Sequence, residues 1–158
     1  MRETRLFSRV VVLVILLLAF GVTAMAQRAR PFQGEWKWVV YPQSRSELPP
    51  AYRNERLRDV PRAEIYLKIK QRGNRLTGEY SGNDRYLAKL EDGEFDAIVK
   101  GNTAELELTS GFNGTMTVRL TLVGNRIHWK AIKSDGEFYF PSDVWLHRVR
   151  TRKWRHPS

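Results

Sequence analysis

The stretch Leu122–Lys130, LVGNRIHWK, sets a Gly-Asn pair between two runs in which apolar and polar residues alternate. A period of two marks a strand with one buried face. Gly first and Asn second suits a type II′ hairpin, because Gly tolerates the positive φ of the first central position. With Val123 opposite Arg126, Leu122 meets Ile127, Leu120 meets Trp129 and Val118 meets Ala131 on one face. Thr121 with His128 and Arg119 with Lys130 fall on the other face, so His128 points outward.

The same device recurs in IKQRGNRLTG and IVKGNTAELE. Lys100 opposite Thr103 puts Val99 with Ala104, Ala97 with Leu106 and Phe95 with Leu108 on one side. Arg72 opposite Arg75 puts Ile65, Leu67 and Ile69 on the side of Leu76, Gly78 and Tyr80, and Lys68 opposite Glu79 outside. A slip of one residue would reverse each sorting, so three agreeing hairpins fix the register better than propensity does.

Outward from these hairpins, short β-branched or aromatic runs continue in both directions: EWKWVVY, EIYLKIKQ, RLTGEYSG, RYLAKL, EFDAIVK, TAELELT, TMTVRLTLV, RIHWKAI and SDVWLHRV. Gly, Asn, Asp or Pro separate them, and no long amphipathic helix pattern competes. A long loop from Pro42 to Ala63, with Pro42, Pro49, Pro50 and Pro61, breaks the rhythm, and PPAYRNERLRD inside it suits a short helix started by proline. The expected fold is all-β, an antiparallel up-and-down meander of about eight strands closed into a barrel, because closure removes exposed edges. An open β-sandwich is the alternative. Trp36, Trp38, Val40, Leu67, Tyr80, Phe95, Leu106, Met116, Leu120 and Trp129 then face the interior, with the small Gly78, Ala97, Ala104 and Ala131 among them.

Residues 1–26 read as a signal peptide: a basic start with Arg2, Arg5 and Arg9, the apolar run VVVLVILLLAFGV, and TAMAQ with Ala24 and Ala26 spaced for cleavage. The expected protein is exported, periplasmic or extracellular after cleavage near Ala26, with a barrel domain over 27–149 and a basic tail over 150–158. An uncleaved anchor would need a longer apolar run, roughly 20 residues. There are no cysteines, so no disulfide framework supports the fold. The net charge of +10 suits anionic envelope surfaces, and nucleic acid is not an expected partner outside the cytoplasm.

FQGEWKW places Gly34, Glu35 and Trp36 as a Gly-x-Trp at the start of the first strand. In this the chain resembles the lipocalins and the wider calycin superfamily of small secreted barrels. The resemblance implies that Trp36 packs at the closed end of the barrel beneath an arginine from the end of the last strand, for which Arg148 in VWLHRVR is the best match and Arg150 the second. The loop from Pro42 to Ala63 resembles the family's large first loop, which partly lids the open mouth. The Thr-Asp-Tyr motif and a helix after the last strand are lacking. SGNDRY, residues 81–86, is similar to the Ser-Gly-x-x-Tyr loop of bacterial lysozyme inhibitors, with Tyr86 one position later.

The expected function is non-enzymatic binding of a small apolar or amphipathic molecule. Trp38, Tyr80, Phe95, Leu120 and Trp129 would line the site, and Arg53 and Arg56 at the mouth would meet an acidic head group. The alternative is a protein-interaction or inhibitor module of the cell envelope. Arg150, Arg152, Lys153 and Arg155 around Trp154 suit an anionic envelope surface. In EFYFPSDVW, strand parity leaves one of Phe138, Tyr139 and Phe140 exposed, so the segment reads as a contact surface or, preferably, as a cover for the barrel's end. Glu91 and Asp92 read as solvated acids of a turn. No catalytic constellation, cofactor motif or metal spacing is present, since Ser110 lacks a nucleophile elbow and His128 faces out.

Overall fold

Each of the three Gly-Asn turns folds the chain back in the expected register. In the computed structural model, which describes residues 30–86 and 89–149, Arg72 pairs with Arg75, Lys100 with Thr103 and Val123 with Arg126. Gly73, Gly101 and Gly124 have φ of 60°, 64° and 60°, the left-handed conformation that the first position of such a turn requires. The described residues from Phe32 to Val149 form one compact unit. Eight strands follow in order: β1 (Gly34–Val40), β2 (Ala63–Arg72), β3 (Arg75–Asp84), β4 (Lys89–Lys100), β5 (Thr103–Thr109), β6 (Thr115–Val123), β7 (Arg126–Asp135) and β8 (Asp143–Arg148). They close into an antiparallel barrel in sequence order, with β8 beside β1.

Parity sorts the side chains. Ile65, Leu67, Leu76, Leu106, Leu120, Ile127 and Trp129 are wholly buried and form one cluster with Trp36 and Phe32. Each such side chain stabilises the fold by roughly 1.5–3 kcal/mol. Lys68 lies outside against Glu79 at 3.8 Å, and Arg119 against Glu105 at 2.8 Å. One irregularity interrupts β6 and β7: Val118 pairs with Ala131 but Thr117 pairs with Lys133, so Ile132 is the extra residue of a bulge and is exposed.

The wall has two seams. Regular pairing of β4 with β5 is confined to Val99–Ala104 and Lys100–Thr103, and that of β8 with β1 to Arg148–Trp36 and His147–Lys37. A side chain braces the first of them. Above the first, Tyr80 of β3 reaches across Gly93 of β4 and its hydroxyl donates to the Thr109 carbonyl at 2.6 Å while accepting from the Thr109 N–H at 3.1 Å. The phenol thus takes the place of a neighbouring strand for that residue. This explains why Phe95 and Leu108, and Ala97 and Leu106, share the inner face as expected although backbone pairing stops short of them.

Three sequence expectations are corrected. RYLAKL and EFDAIVK are not separate strands: Arg85 and Tyr86 turn with φ of 53° and 59°, and β4 then runs unbroken from Lys89, so Glu91 and Asp92 stand inside a strand. Ser81 to Asp84 belong to β3, so SGNDRY is not a loop of the inhibitor type. Phe140 is buried and Phe138 and Tyr139 are half-buried, so none of the three is fully exposed. They precede β8 in irregular chain, where strand parity has no hold. The long loop is built of three short 3-10 turns, Arg45–Glu47, Pro50–Tyr52 and Leu57–Asp59, anchored by buried Leu48 and Val60. The leader 1–26 and the tail residues Arg150, Arg152, Lys153, Trp154 and Arg155 lie outside the described residues.

Gly78 tests the packing of the wall, because a Cβ there would come within 2.1 Å of the Lys68 carbonyl oxygen and 2.8 Å of the Phe95 ring. Gly78→Ala is expected to cost about 2–3 kcal/mol in urea denaturation, whereas Gly124→Ala, with open space around it, costs about 1 kcal/mol from its positive φ alone.

Candidate functional site at the mouth of the barrel

An up-and-down barrel has two ends that differ in kind. The three Gly-Asn turns close one. There Phe32 is buried, its N–H donating to Gln71 Oε1 at 3.0 Å, and its carbonyl accepts from Trp36 Nε1 at 2.8 Å. The Arg148 guanidinium lies 4.1 Å from the centre of the Trp36 ring and donates to the Gln33 carbonyl. Gly34 makes this possible, since a side chain there would collide with the guanidinium.

The other end, the mouth, gathers the connections 41–62, 110–114 and 136–142 and the turn at 85–86. Its central group is Glu91, which is 1% exposed. In β4 it has the parity of Phe95 and Ala97, so its carboxyl enters the barrel. Glu91 Oε1 accepts from Ser110 Oγ at 2.9 Å and from the Tyr139 N–H at 3.1 Å. Ser110 Oγ in turn accepts from the Phe112 N–H at 2.9 Å, and Ser110 N–H donates to Gly114 at 2.8 Å. Phe112 and Tyr139 meet edge to face at 5.0 Å, and the Tyr139 hydroxyl donates to Glu137 at 2.6 Å. One buried carboxyl therefore fixes both the β5–β6 loop and the β7–β8 connection. Among the described residues, Glu91 Oε2 and Asn83 Oδ1 are buried with no hydrogen-bond partner. Such an atom costs about 1–3 kcal/mol, so the arrangement spends stability on holding the mouth still.

Beneath this knot the mouth is filled. Phe140 packs edge-on against Tyr80 at 6.1 Å, Trp129 at 5.7 Å and Phe138 at 5.4 Å. Trp129 Nε1 donates to the Pro141 carbonyl at 3.0 Å. Burial pushes the Tyr80 phenol above its ordinary pKa, and the neighbouring Glu91 and Asp92 add to the rise against the opposing Thr109 hydrogen bond.

Of the residues expected to line a ligand site, Tyr80, Phe95, Leu120 and Trp129 lie together in the core and Trp38 packs half-buried against them. Arg53 and Arg56 are exposed on the long loop, where Arg45 Nη1 donates to the Arg53 carbonyl at 2.6 Å. Grooves of about 460, 250 and 180 Å³ follow the outer wall; the first lies between Lys68, Lys70, Glu79 and Glu94 and reaches Phe95 beside Gly78, and none of the three touches Trp38, Tyr80, Leu120 or Trp129. Sequence reasoning missed Glu91 and Ser110. The signal was present, because Glu91, Gly93, Phe95, Ala97 and Val99 share one parity. Among the described residues no group of three or more His, Asp or Glu is placed to hold a metal ion. No protein-family model matches the chain, and no curated protein or solved structure matches it.

Glu91→Ala leaves the Ser110 hydroxyl and the Tyr139 N–H buried without their acceptor and is expected to cost about 3 kcal/mol, while Glu91→Gln, which keeps an acceptor oxygen, costs about half as much. Urea denaturation of the two variants measures both.

Proposed function

We propose that the protein is an exported, non-enzymatic barrel that acts as a protein-interaction module of the cell envelope, with the mouth as its contact face. The observation that carries this reading is the buried Glu91, which holds two connections in one geometry and sets Phe112, 36% exposed, at the tip of a braced loop. A rigid aromatic on a preorganised loop is what a binding hot spot needs, because little conformational freedom is lost on contact. The filled interior supports the same reading, since Trp36, Leu67, Leu120 and Trp129 have no accessible surface. On the neighbouring loop Arg58 and Arg62 are paired with Asp59 and Glu47 and Glu55 offsets a further charge, so the five arginines leave a small positive excess, carried by Arg45, Arg53 and Arg56, that favours an acidic partner. The signal-peptide pattern of 1–26 supports export, and charged residues such as Lys68, Glu79, Glu94 and Arg119 on the outer wall suit water rather than lipid. Among the described residues no helix is long and apolar enough to cross a membrane.

A second reading keeps the lipocalin-like function, a small apolar or amphipathic molecule held among Trp38, Tyr80, Phe95, Leu120 and Trp129. Two observations favour it: the β4–β5 pairing ends after two residue pairs, and at the mouth Tyr80 and Trp129 are both covered by Phe140, which belongs to irregular chain. The contact of Arg148 with Trp36 accords with the lipocalin resemblance. The basic tail around Trp154 would add attachment to an anionic envelope surface.

Capture from an extract of exported proteins separates the two. The first reading expects a stoichiometric protein partner that Phe112→Ala loses by tenfold or more (about 1.4 kcal/mol), while the melting temperature falls only by the few degrees that loss of the Tyr139 ring contact accounts for. The second expects no such partner and a stoichiometric small molecule in the native mass spectrum.

A further inference from the structure

The outer wall of β7 and β8 carries a feature that neither end of the barrel explains. Three residues of each strand face out in register: Arg126 beside His147, His128 beside Trp145, and Lys130 beside Asp143. Trp145 is 37% exposed although it stands among charged groups. Its orientation is fixed. The His128 ring stacks on it with centroids 4.6 Å apart and planes 18° apart, and the Arg126 guanidinium lies 4.8 Å from the indole centroid. His128 is itself held, its Nε2 2.6 Å from Asp143 Oδ1. On the other side of β8, regular pairing with β1 stops at Arg148 and His147, short of Trp145.

We propose that this wall is a binding site for an acidic saccharide, with Trp145 as its stacking platform. The C–H faces of a sugar ring carry slight positive charge and settle on the negative face of an indole. Hydroxyl groups at the ring's edge need donors and acceptors within reach, which Asp143, Lys130 and His147 supply. A sugar carboxylate matches the planar fork of Arg126, and two fixed cations, Arg126 and Lys130, stand against the single carboxylate of Asp143, which His128 already engages. Of the net charge of +10, the leader carries +2 (Arg2, Arg5 and Arg9 against Glu3), and the +8 that remains draws polyanions toward the mature chain. A nucleic-acid strand fits less well, because successive bases call for successive aromatics and Asp143 would oppose its phosphates. A lipid surface would call for more apolar area than one indole offers. The site lies on the wall and does not depend on what binds at the mouth.

The test titrates the full chain with a galacturonate tetrasaccharide, following tryptophan fluorescence and calorimetry, beside a neutral glucose tetrasaccharide, a single-stranded oligonucleotide and vesicles containing phosphatidylglycerol. The expected result is saturable binding of the galacturonate, at least about tenfold tighter than of the neutral sugar. Trp145→Ala and Arg126→Gln should each weaken it by about tenfold, and Lys130→Gln by a smaller factor, with the melting temperature unchanged. If Trp145→Ala proves unstable, Arg126→Gln and Lys130→Gln decide. Absence of galacturonate binding, equal affinity for the neutral sugar, or full affinity in the substituted chains would overturn the assignment. So would tighter binding of the oligonucleotide or the vesicles through the same residues, which would give the wall to another polyanion.

Discussion

The fold depends on the geometry of two adjoining residues, used three times. A Gly at φ near +60° followed by Asn turns the chain in the smallest possible space, and the turn dictates which residue of the returning strand faces which. Once Val123 meets Arg126, the positions of Leu120 and Trp129 follow without further choice. Hydrophobic burial supplies most of the stabilising free energy, but it acts on a register that the turns have already selected.

The two ends of the barrel solve opposite problems. At the turn end the backbone is short and self-satisfied, and a plug of Phe32 and Trp36 needs only the Arg148 guanidinium above it. At the mouth the connections are long, and their main-chain groups would lack partners once folded inward. Glu91 meets that need from inside the barrel, taking the Tyr139 N–H directly and fixing Ser110, whose hydroxyl takes the Phe112 N–H. Burying a carboxyl is unfavourable, and a mouth made only of apolar side chains would be cheaper to fold but would not define one loop geometry.

What could be read from the sequence follows this division. The registers of the three hairpins, the outward direction of His128 and the inward one of Tyr80 were all legible, because each rests on alternation within a few residues of a turn. The long loop between Pro42 and Ala63 was legible from its prolines. Glu91 was not, because its neighbours Asp92 and Gly93 have the composition of a turn, and over so short a run composition masks parity. The role of the Tyr80 hydroxyl was equally hidden: its partner Thr109 lies 29 residues on, and only the stopping of regular β4–β5 pairing brings the two together. The irregular course of Phe138 to Phe140 defeated a rule that applies only to strands.

The seams of the wall carry one more implication. Both fall between groups of four consecutive strands, so the barrel is also two curved four-stranded sheets, Gly34–Lys100 and Thr103–Arg148, joined covalently at Gly101 and Asn102. The two halves are therefore held together by the core they share and by the contact of Tyr80 with Thr109 more than by backbone ladders, and the chain crosses between them once, at Gly101 and Asn102.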